Sequence, residues 1–86
     1  MLRRILVTDD PGLSTIETDV VVWLGRGSAP RQVSRHGLVV QPSSLRSAAL
    51  YLATERAAEV KLALRDPMSF VLELLRVRAE PALRAA

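Results

Sequence analysis

Cysteine is absent from this 86-residue chain, and aromatic side chains are nearly so: Trp23, Tyr51 and Phe70 are its whole complement. The first absence excludes a disulfide framework and thiolate chemistry, and points to a reducing, cytoplasmic setting. The second leaves the core to Leu, Val and Ala, which bury less apolar area per residue than rings do. A chain of this size buries only roughly 60–65% of the surface it exposes when unfolded. Self-association, which adds core without adding chain, is therefore expected.

Histidine is represented once, by His36. A zinc site of the histidine–cysteine kind has no ligands to draw on. Any serine nucleophile would need that same imidazole as its base, and no Gly-x-Ser-x-Gly elbow surrounds a serine. No catalytic residue, metal ligand or cofactor site is expected, nor a small-molecule substrate. Asp9 and Asp10 are followed directly by Pro11-Gly12, so they read as a turn rather than as a magnesium or phosphoacceptor site. Gly25-Arg26-Gly27-Ser28 matches neither the Walker nor the dinucleotide fingerprint and reads as a flexible turn.

Long hydrophobic runs are missing too. None approaches the roughly 20 residues that span a bilayer, so no membrane role is expected. The opening Met1–Val7 is apolar and basic like a signal peptide, but Asp9-Asp10-Pro11 leaves no room for its hydrophobic region.

Acidic residues are missing from one long stretch. Residues 9–19 carry four acids and no base, whereas 20–54 carry no acid and hold Arg26, Arg31, Arg35, His36 and Arg46. Such a segment suits a phosphate backbone or an acidic protein surface. The alternative is that the preceding acidic segment folds back and neutralises it internally. Stacking aromatics are lacking, so duplex DNA is preferred to single strands.

What is present divides the chain into elements. Residues 2–8 read as a strand. Val20-Val21-Val22-Trp23-Leu24, apolar on both faces, marks a strand at 19–25 that lies in the middle of a sheet or has one face covered by a partner. Residues 13–18 stay open between helix and loop. Residues 31–41 fit either a hairpin, 31–35 against 38–41 across His36-Gly37, or a helix-turn-helix. Leu38-Val39-Val40 is too β-branched for the turn of the latter, so the hairpin is preferred. Ser43-Ser44 caps a long helix to Arg65, striped by Leu50, Ala53, Ala57, Val60 and Leu64. Asp66 caps a last helix from Pro67 to about Ala79. Met68, Phe70, Val71, Leu72, Leu74, Leu75 and Val77 cover most of its circumference, about twice the stripe a surface helix needs. Met68, Val71, Leu72 and Leu75 are the expected oligomer interface.

The expectation is an α+β fold in one domain over 1–80, with a tail over 81–86. A small antiparallel sheet of three or four strands is followed by two helices. The expected function is that of a small prokaryotic or phage accessory protein. It would grip nucleic acid or an acidic partner through Arg26, Arg31, Arg35, His36 and Arg46, and form homo-oligomers through its last helix. The alternative is a structural subunit of a virion or other assembly.

Overall fold

A computed structural model describes residues 2–13, 18–34 and 37–80. Among these, the elements in chain order are β1 (Arg3–Thr8), β2 (Val20–Trp23), α1 (Arg31–Ser34), β3 (Leu38–Val40), α2 (Leu45–Thr54), β4 (Ala58–Ala63) and α3 (Pro67–Arg78). The strands form one sheet in the order β3-β2-β1-β4, and every pairing in it is parallel. The antiparallel sheet expected from sequence is thereby overturned, and the fold is α/β.

The physical reason lies in the faces of the central strands. Ile5, Val7, Val20 and Val22 bury one face beneath Ala48 and Leu52 of α2 and Phe70 of α3. Val21 and Trp23 bury the other face against Val33 of α1. A strand apolar on both sides needs helices above and below it, and parallel strands joined by crossover helices supply them. The chain steps from β1 to β2 to β3 in one direction and then returns to place β4 on the far side of β1. Crossovers of one hand running in opposite directions leave their helices on opposite faces. α1 and α2 do so.

The remaining corrections follow from this topology. The hairpin over 31–41 does not form. Pro30 accepts from the Val33 amide at 2.9 Å, and Arg31–Ser34 makes one helical turn whose Val33 plugs the sheet. Leu38–Val40 then joins as a parallel edge. The helix expected to reach Arg65 stops at Thr54, and Ala58-Glu59-Val60-Lys61-Leu62-Ala63 pairs along the whole length of β1. Residues 14–17, 35–36 and 81–86, including most of the open segment, two of the expected binding residues and the tail, lie outside the described residues.

The last helix agrees with its caps. The Asp66 carboxylate accepts from the Ser69 amide at 3.2 Å and from its hydroxyl, with Pro67 in the first turn. Ser44 caps α2 by accepting from the Ser47 amide at 3.0 Å. Phe70 and Val77 of α3 are fully buried, whereas Met68, Leu72 and Leu75 are exposed and Val71 is half-buried. Among the described residues no helix is long and apolar enough to cross a membrane.

Candidate functional site at the carboxyl end of the sheet

Parallel strands deliver their following loops to one end of the sheet. In an open α/β sheet, ligands settle outside the carboxyl ends where the strand order reverses, because the loops on either side turn away to opposite faces. Here the reversal falls between β1 and β4. The residues that follow them are Asp9-Asp10-Pro11-Gly12 and Leu64-Arg65-Asp66.

The two loops are tied together. Thr8, fully buried at the end of β1, donates its hydroxyl to the Ala63 carbonyl at 2.8 Å and accepts from the Asp10 amide at 3.0 Å. One step further, Asp9 Oδ1 accepts from the Arg65 amide at 3.3 Å. Asp10 Oδ1 accepts from the Gly12 amide at 2.9 Å, forming an Asx turn. Asp9 and Asp10 each keep a second carboxylate oxygen without a hydrogen-bond partner among the described residues. The turn expected at this point is there, and it also forms the rim of a crevice.

A third loop follows β2. The Trp23 indole folds back beneath it and donates Nε1–H to the Gly27 carbonyl at 3.0 Å, a carbonyl that Gln41 Nε2 also reaches at 2.7 Å. Gly25 lies so close to the ring that a Cβ there would stand 2.2 Å from a ring carbon. Gly27 has φ +65°, in the left-handed region that favours glycine. Glycine-Arg26-glycine is a turn, as read from sequence, and its Gly27 carbonyl accepts two side-chain hydrogen bonds.

Two adjoining hollows open among these loops. One, of about 520 Å³, is lined by Asp9, Pro11, Trp23, Leu24, Gly25, Arg26 and Arg65. The other, of about 470 Å³, lies over the β1–β4 junction, with Asp9, Asp10 and Arg65 as its charged lining. Arg26 and Arg65 are both exposed, and among the described residues neither has an ion-pair partner. The ion pairs among the described residues sit elsewhere. Arg3 meets Glu55 at 3.0 Å, Arg4 approaches Asp19 at 3.8 Å, and Arg76 meets Glu73 at 3.3 Å.

Of the five residues expected to bind, the three that are described, Arg26, Arg31 and Arg46, do not all converge. Arg26 lines the crevice. Arg31 opens α1, next to Gln32, whose amide donates to the Pro11 carbonyl at 2.7 Å. Arg46 is turned away from the crevice, where its guanidinium sits 2.6 Å from Glu80 and 3.9 Å from Glu73. The acid-free segment is therefore neutralised in part, by acids that follow it in the chain. Arg35 and His36 lie outside the described residues. Sequence reading missed Thr8, Trp23 and Arg65 as site residues. No local pattern pointed to Arg65, because the segment before it, Ala58–Ala63, is made of residues that also form helices.

Asp66, next to Arg65, titrates below the ordinary carboxyl range, chiefly because the Ser69 hydroxyl and then its amide donate to the ionised form. Among the described residues no cluster of three His, Cys, Asp or Glu side chains could hold a metal ion. No family model, curated protein or solved structure matches this chain.

Proposed function

We propose that the protein binds a small phosphorylated polyol, such as a sugar phosphate or nucleotide, in the crevice at the carboxyl ends of β1, β2 and β4. The observation that carries this reading is the pair of guanidiniums without ion-pair partners among the described residues, Arg26 and Arg65, lining one hollow at the reversal of strand order. A phosphate between them would gain charge-assisted hydrogen bonds. The free oxygens of Asp9 and Asp10 suit hydroxyl donors on the same ligand, and repel a ligand that is anionic throughout. The hollow is of the size that takes a small molecule. A cytoplasmic setting, suggested by a chain without cysteine, accords with such ligands.

Trp23 is the chain's single tryptophan and lines the hollow, so its emission reports occupancy. Titration with ribose 5-phosphate and AMP should shift that emission, while ribose alone should not. Arg26→Ala and Arg65→Ala should each weaken binding roughly tenfold or more, the loss of one charge-assisted contact. Silence toward every phosphorylated probe would overturn the proposal. Duplex DNA forms the contrasting arm: tight, steeply salt-dependent binding that survives Arg65→Ala would favour the nucleic-acid surface expected from sequence.

A further inference from the structure

The two edges of the sheet are made differently. β3 is three apolar residues long. Leu38 donates its amide to the Asp19 carbonyl at 3.1 Å, so Leu38 and Val40 turn their backbone groups inward and Val39 alone points out. β4 is twice that length and charged. The Arg3 amide donates to the Ala57 carbonyl at 3.2 Å, and Arg3 stands opposite Ala58. In a parallel ladder this turns the backbone groups of Glu59, Lys61 and Ala63 toward β1, and those of Ala58, Val60 and Leu62 outward. Among the described residues these outward groups have no hydrogen-bond partner. Glu59 and Lys61 share one face of the strand, and both are exposed. Val60, on the other face, is 43% exposed.

We infer that β4 is a dimerisation strand, pairing antiparallel with the same strand of a second copy about a two-fold axis at Val60. In that register Val60 faces the partner's Val60, and Ala58 faces the partner's Leu62, as hydrogen-bonded pairs. Glu59 then stands opposite the partner's Lys61, and Lys61 opposite the partner's Glu59. Both fall in the non-hydrogen-bonded positions, where side chains approach most closely. Charge complementarity names the occupant and fixes the register together. Sliding the strand two residues one way sets Glu59 against the partner's Glu59, and the other way sets Lys61 against the partner's Lys61. The contact is isologous and closes on itself, which also removes an edge open to uncontrolled pairing. The inference is independent of the crevice, since antiparallel pairing sends the two crevices to opposite ends of the joined sheet.

Sedimentation equilibrium of the wild type should show a monomer–dimer equilibrium. Glu59→Lys and Lys61→Glu should each weaken the dimer roughly tenfold or more, by setting like charges opposite one another. The double swap should restore it. Val60→Pro, which removes an outward amide and leaves the β1 ladder intact, should abolish it. Circular dichroism of each variant checks that the fold persists. A wild type that stays monomeric at high micromolar concentration overturns the inference. So does a dimer indifferent to the charge swaps, or one lost only on Leu72→Glu, which would place the contact on the exposed side of α3.

Discussion

Thr8 and Thr18 invite comparison, because both are buried threonines at strand ends yet their hydroxyls meet opposite fates. Thr8, at the carboxyl end of β1, gives and receives a hydrogen bond and joins two loops. Thr18, just before β2 at the amino end, is only 7% exposed, and its Oγ1 has no hydrogen-bond partner among the described residues. The two ends also differ in their glycines. Gly25 is jammed against the Trp23 ring, with a Cβ 2.2 Å from a ring carbon, whereas a Cβ on Gly37 would stand 3.0 Å from Thr18 Oγ1 and 3.1 and 3.2 Å from the Thr18 and Asp19 carbonyls, tight but a less severe clash. The carboxyl end is braced where a ligand would press on it; the amino end is held by the Arg3–Glu55 and Arg4–Asp19 contacts and tolerates a flaw.

This contrast is open to attack by mutation. The largest effect should come from Gly25→Ala, whose methyl must displace the indole. A loss of about 3 kcal/mol is expected, at the upper end for overpacking, with a shift in Trp23 emission during urea denaturation. Retained stability and an unmoved emission maximum would show the loop to be slack. Thr8→Val should come next. It strands the Ala63 carbonyl and the Asp10 amide, and should lower the unfolding free energy by about 2 kcal/mol.

The amino end should answer with the opposite sign. Thr18→Val removes a buried hydroxyl that bonds to nothing among the described residues and should stabilise by about 1 kcal/mol. A measured loss would mean that the hydroxyl is satisfied in solution. The smallest effect concerns acid. Asp66 is more acidic folded than unfolded, so it stabilises the fold at pH above its ordinary value of 3.8. That contribution drains away as pH falls below 3.8 through the still lower folded-state value. Asp66→Asn keeps a capping side chain without the titration. Its stability should therefore fall less than the wild type's across that acid range, as read from thermal midpoints.

Much of the local structure was legible. The caps Ser44 and Asp66, with Pro67 after the latter, place the starts of α2 and α3. The apolar run of β2 marks a central strand. Strand direction was not legible, because nothing in a strand's own pattern states which way its neighbour runs. The usable clue was that β2 is apolar on both faces, which favours helices on both sides and hence parallel crossovers. β4 was hidden by its composition. Ala, Glu, Lys and Leu form helices readily, and Val60 and Leu64 also satisfy helical spacing. Only the unfilled side of β1 makes a strand of this segment, a tertiary demand that local pattern does not carry. Arg65 was lost with it, since a residue read as the end of a long helix gave no sign of standing at a strand end.

The pairing of β1 with β4 sets a condition on how the chain reaches its fold. Arg3 stands beside Ala58 and Thr8 beside Ala63, so the first strand made must wait for nearly the last. Closing so long a loop before any contact rewards it is slow compared with local hairpins. Until β4 is in place, one side of the β1 ladder is empty and only β2 pairs with it. The crevice between the two loops exists only once β4 has docked. Changes in the segment between Thr54 and Asp66 are therefore expected to act on the rate at which the sheet is completed as well as on its stability.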